Sequence, residues 1–175
     1  MSSPDKVHPP SSDGSNARRM VRRMKYVFDD GGRAAAGYKG DAGDCACRAI
    51  AIATGKPYQE VYNALKDAAR AYASAHRDRV AKRIWFAPTP RYGVAPEVSK
   101  QYLLALGWKW TPTMHIGSGC RVHLRADELL SGRLIVAVSV HLVAVIDGVI
   151  HDTHDCSRDG TRCVYGYFAL PSAMQ

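Results

Sequence analysis

The segment that most limits what this chain can fold into lies between Leu134 and Asp152. Leu134-Ile135-Val136-Ala137-Val138-Ser139-Val140 is an almost unbroken apolar run, rich in β-branched residues, as expected of a buried strand. Two further runs, His141-Leu142-Val143-Ala144-Val145-Ile146 and Val149-Ile150-His151-Asp152, are separated only by Asp147-Gly148. An Asp-Gly pair between apolar runs is a strong hairpin signal, because the two-residue turn that matches strand twist needs positive φ at both positions. Arg162 to Phe168 supplies a last strand, with Tyr165 and Tyr167 on one face. This end of the chain is therefore an antiparallel sheet.

The turn also fixes a register. If Asp147-Gly148 is a two-residue loop, Ile146 lies opposite Val149, Val143 opposite Asp152 and His141 opposite His154. Opposed residues in an antiparallel pair share a face, and so do alternate residues along a strand. His141 and Asp152 thus become diagonal neighbours on one face, about 7–8 Å apart at the backbone and within side-chain reach. His151 goes to the other face, and a one-residue bulge would reverse these assignments. A carboxylate so placed accepts the Nδ1 hydrogen of His141 and leaves Nε2 free as a base.

The N-terminal half is helical in pattern. Gly43-Asp44-Cys45-Ala46-Cys47-Arg48-Ala49-Ile50-Ala51-Ile52-Ala53-Thr54-Gly55 reads as a short apolar helix. Asp44 is a suitable N-cap, its carboxylate accepting from a first-turn amide, and Gly55 suits a left-handed C-terminus. Cys45 then occupies the first helical position, where free amides and the positive end of the helix dipole favour thiolate and can hold an oxyanion. Cys47 lies about 200° further round the helix and is expected in the core.

Pro57 opens a second helix with Tyr58, Val61, Leu65, Ala68 and Tyr72 at helical spacing, running to about His76. Trp85 to Gly93 is too punctuated by proline for regular structure. Pro96 to Leu106 is a third helix closed by Gly107, and Trp108 to Thr111 a strand. Ala126 to Leu130 is a short helical turn, and Tyr26-Val27-Phe28 a short strand followed by a turn at Asp29-Asp30-Gly31-Gly32. Helices first and an antiparallel sheet after them make an α+β plan.

The 175 residues suffice for one domain with a core. We divide them into a flexible basic arm, 1–25, poor in large apolar residues, and a folded domain, 26–175. No apolar run approaches the length of a membrane span, and the N-terminus lacks the apolar core of a signal peptide. The formal charge is +8, concentrated in Arg18, Arg19, Arg22, Arg23 and Lys25 and in Arg77, Arg79, Lys82 and Arg83. A nucleic-acid contact through the arm is open but not favoured over a solvated tail. The five cysteines form no regular framework. Without an export signal they are expected as reduced thiols in a cytoplasm.

Cys45, His141 and Asp152 together form a nucleophile, a base and an orienting carboxylate. In this the chain resembles the papain-like cysteine hydrolases, in particular bacteriocin-leader-processing peptidases and small papain-like proteins of phages and mobile elements. The matching pieces are Asp44-Cys45 opening an Ala/Ile-rich helix, His141 in His-Leu-Val-Ala-Val, and Asp152 after Asp-Gly-Val-Ile-His. The resemblance spans roughly Gly37 to Tyr167. It implies a helix packed on an antiparallel sheet with the site in the cleft between them, a peptide or protein substrate and no cofactor. It also implies that Cys45 attacks a carbonyl, His141 serves as base and then acid, and Asp152 holds the imidazole. These enzymes usually carry a glutamine oxyanion donor six residues before the cysteine. Lys39 stands there, either as a substitute donor or as a surface lysine.

Three rival readings remain. A papain-like binding module without catalysis would take a host protein or nucleic acid as partner. An acyltransferase would use the same triad. A metal site would draw on His151, His154, Cys156 and Cys163, or on Cys120 with His115 and His123, but the usual paired ligand spacing is missing.

Overall fold

A computed structural model describes residues 23–171. They form an α+β structure with four α-helices and one six-stranded mixed sheet. In chain order the elements are β1 (Lys25–Phe28), α1 (Cys45–Thr54), α2 (Tyr58–Ala75), α3 (Arg79–Phe86), a 3-10 turn (Pro90–Tyr92) and α4 (Pro96–Ala105). The strands β2 (Lys109–Pro112), β3 (Arg133–Val138), β4 (His141–Ile146), β5 (Val149–Asp152) and β6 (Val164–Ala169) follow. The sheet runs β1-β5-β4-β3-β6-β2.

The hairpin signal translates directly into structure. Ile146 pairs with Val149, Val145 with Ile150 and Ala144 with His151, and Asp147 and Gly148 both take positive φ, 47° and 75°. The expectation of a purely antiparallel sheet is corrected at its edge. β1 lies parallel to β5, with Tyr26 level with Ile150, because a long helical excursion separates the two strands and allows a parallel pairing. Two of the strands also precede the buried run, so the order is not simply helices and then sheet.

The sheet's two faces bury separate clusters. Ile135, Ala144 and Phe168 face the helices and meet Cys47, Ile50, Leu65 and Leu103. Leu134, Val136, Val143, Val145 and Ile150 face the other way, under Met24 and Leu124. The flexible arm falls largely on residues 1–22, outside the described residues, and Met24 already belongs to the core.

Helix α1 is buried on nearly all sides, as its apolar composition requires. Its alanines let it sit closely between the sheet and α2, and Gly55 ends it at φ 72°. Gly43 is needed for another reason: an added Cβ would come within 3.2 Å of the Gly93 amide, where the loop entering α1 passes the 3-10 turn.

Three local expectations are corrected. Trp85 and Phe86 belong to α3, whose start Asp78 caps by accepting from the Ala81 amide at 2.8 Å; proline breaks the regularity only afterwards. Residues 126–128 form a turn rather than a helix. Cys120 and Cys163 are joined in a disulfide with Cα atoms 5.7 Å apart, although reduced thiols were expected. The bridge of His123 with Cys163 brings the two segments together, and the two cysteines are 43 residues apart in sequence, a proximity that spacing alone does not reveal.

Candidate functional site

Cys45 begins α1 and His141 begins β4. By alternation His141 shares a face with Val143 and Val145, which pack away from the helices, while Leu142, Ala144 and Ile146 belong to the α1 side. His141 still reaches the helix because it is the first residue of its strand, where the end of the sheet is level with the tip of α1. The Cys45 sulfur there lies near enough to His141 and to the Leu142 amide for both to act on the thiol's titration. On the next strand, Asp152 Oδ2 lies 2.5 Å from His141 Nε2. The three residues singled out in the sequence thus meet at one point.

The imidazole is turned opposite to the expectation. Nε2 faces the carboxylate, which leaves Nδ1 for the thiol. The register placed the two side chains as neighbours correctly, but it carries no information on χ angles.

Burial alone would raise the Cys45 thiol. Its hydrogen bonds with His141 and Leu142 and the nearby charges of His141 and Arg48 instead bring it below the ordinary thiol value. Burial would likewise lower the imidazole, but hydrogen bonds with Asp152, Cys156 and Cys45 hold it well above the histidine range. For Asp152, burial is opposed by His141, the Thr153 amide and Arg48, and the carboxyl lies below the usual range. All three shifts favour a thiolate–imidazolium pair beside a carboxylate.

Asp44 has a different role from the one expected. Its backbone, at φ −89° and ψ 24°, lies outside the extended region typical of an N-cap, and its side chain caps nothing. The buried carboxylate instead accepts from Arg33 Nε at 2.7 Å, from the Tyr58 hydroxyl at 2.5 Å and from Arg48 Nη1. Arg48 continues to Asp152 Oδ1 at 3.4 Å. Arg33 also donates to the carbonyls of Tyr38, Lys39 and Gly40, and Arg91 to those of Lys39 and Asp41. The loop before the cysteine is therefore held by guanidinium groups, and Asp44 and Asp152 are tied together through one arginine.

Lys39 is exposed, and its hydrogen bonds run through its carbonyl oxygen. Cys47 is fully buried, as expected, and burial pushes its thiol up.

Sequence reasoning did not single out Arg33, Arg48 or Tyr58. For Arg48 a signal existed: a lone charge inside an apolar helix, four residues after an aspartate, is positioned to pair with it. His154 and Cys156, considered only as metal ligands, both lie against His141. The His154 ring centroid is 5.2 Å away, and the buried Cys156 thiol is close enough to help raise the imidazole's pKa. The metal sets read from sequence are dispersed. Cys120 and Cys163 bond to each other, and His151 Nδ1 lies 3.3 Å from Asp29.

A cleft of about 490 Å³ opens beside His141, between the β3–β4 turn and the segment after β5. Val140 in that turn is fully exposed and takes φ 56°, an unfavourable conformation for a β-branched residue. Among the described residues no helix is long and apolar enough to cross a membrane. No protein-family model, curated protein or solved structure matches the chain.

Proposed function

We propose that this chain is a papain-like thiol hydrolase that cleaves a peptide or amide bond without a cofactor. One observation carries the reading: the thiol at the tip of a buried helix lies beside an imidazole whose Nε2 meets a buried carboxylate at 2.5 Å. That is the arrangement nucleophilic catalysis needs.

The Cys45 thiolate attacks the carbonyl carbon, and the oxyanion that forms is held by the Cys45 amide at the helix start. The protonated Nδ1 of His141 gives its proton to the departing amine, leaving a thioester on Cys45. Neutral His141 then takes a proton from water, which attacks the thioester and releases the acid and the thiolate. Asp152 keeps the ring oriented and stabilises its charged form throughout. Lys39 is a second oxyanion donor only if its side chain swings toward the helix tip, since its present contacts are made by the backbone.

The test is alkylation of Cys45 by iodoacetamide at neutral pH, read by peptide mass mapping, together with cleavage of a mixed peptide library. Fast labelling that His141→Ala slows by at least about a hundredfold, with cleavage products that Cys45→Ala abolishes, supports the reading. Slow labelling insensitive to His141 would instead favour a papain-like binding module.

A further inference from the structure

We infer that the same corner holds a divalent transition-metal site, with His141, Asp152 and His154 as its ligands and Zn²⁺ as the ion that suits them. Each of these side chains can present a nitrogen or oxygen such that all three ligand atoms lie within 4.8 Å of one another. Two imidazoles and one carboxylate, with the fourth position open, is a common donor set for zinc. Both imidazoles, His141 and His154, line the cleft beside the site.

The rearrangement required is small. Ligands of a tetrahedral zinc at its usual bond lengths stand about 3.3 Å apart. The contact of His141 with Asp152 at 2.5 Å therefore opens by less than an ångström, and His154 swings inward. His154 is free to do so. It is exposed, in the segment after β5, and among the described residues its side chain makes one hydrogen bond, a 3.5 Å contact with the neighbouring Thr153 hydroxyl. Arg48 and the Thr153 amide already hold Asp152 through its other oxygen, fixing the carboxylate as outer partners do at metal sites.

Occupation at Nε2, the nitrogen that meets Asp152, leaves the Nδ1 hydrogen facing Cys45 but uses the one lone pair of the neutral imidazole, so His141 can no longer accept the thiol's proton. The site is a reversible block on thiol chemistry, with His154 as the residue that gives the metal its hold. This consequence for Cys45 rests on the hydrolase reading; the metal site itself does not.

The experiment titrates ZnCl₂ into the full chain by calorimetry and repeats iodoacetamide labelling of Cys45 with and without the ion. Expected are one tight equivalent, at least about tenfold weaker binding in His154→Ala, and retention in His154→Cys, which restores a ligand. Labelling in the wild type should slow with Zn²⁺ and recover with EDTA, and the ratio of rates with and without Zn²⁺ should return toward one in His154→Ala, each variant being compared with its own metal-free rate. No binding, or equal affinity in wild type and His154→Ala, overturns the site. If metal-free labelling proves slow and independent of His141, the hydrolase reading fails, while the dependence of the isotherm on His154 still decides the metal site.

Discussion

Asp44→Asn separates two roles for a residue that the sequence alone reads as a helix cap. Asparagine caps a helix as well as aspartate does, so a capping role predicts a change near zero. In the structure the carboxylate is instead the shared anion for two guanidiniums and a buried phenol. Its side chain is 2% exposed, that of Arg48 9% and that of Arg33 13%, which places the group in the buried regime. Removing one partner of a buried ion pair costs about 3–5 kcal/mol, because the remaining charge is left uncompensated. Asn keeps one acceptor oxygen but brings an NH₂ group toward donors, so we expect about 3 kcal/mol, a large fraction of the total stability of about 5–15 kcal/mol. In urea this is a midpoint lower by about 1–2 M at an unchanged slope. Arg48→Met removes one of the competing cations, and the double variant should be less destabilised than the sum of the singles by at least about 1 kcal/mol. An Asp44→Asn loss under about 0.5 kcal/mol, or strict additivity with Arg48→Met, would refute the reasoning and return Asp44 to the role of a cap.

The remaining expectations concern packing, pH and redox. A Cβ at Gly166 would be driven into the Trp110 ring and to 2.7 Å from the Thr111 carbonyl oxygen, so Gly166→Ala should cost about 3 kcal/mol or more and detach β2 first, as read by thermal unfolding and amide exchange. The lowered Cys45 thiol should keep labelling fast below the ordinary thiol range of about 8.5 and lose it only as pH falls through its own depressed value; His141→Ala should move that rise up to or above the ordinary range. Hydrolysis, which also needs protonated His141, should fall again as pH rises through the raised imidazole value, giving a bell where labelling shows only a rise. Reducing Cys120–Cys163, which closes a span of 43 residues, should lower stability by about 4 kcal/mol by chain entropy; unchanged unfolding in dithiothreitol would count against that bond.

Local chemistry was legible wherever one short segment decides its own shape. The Asp147-Gly148 turn, the register of β4 with β5, the limits of α1 with its left-handed Gly55, and the periodicity of α2 all follow from dihedral preference and side-chain spacing. So did the approach of His141 to Asp152, because a hairpin carries its partners with it. Apart from the meeting of Cys45 with His141, which the resemblance implied, tertiary structure decided what depends on segments distant in sequence. It set β1 parallel to β5 and joined Cys120 to Cys163. It also turned the imidazole so that Nε2 meets Asp152, and it converted Asp44 from cap to counter-ion by bringing Arg33, Arg48 and Tyr58 onto one carboxylate. The physical reason is that periodicity reports which face of an element is apolar, whereas the partner of a buried charge is set by which other elements close around it.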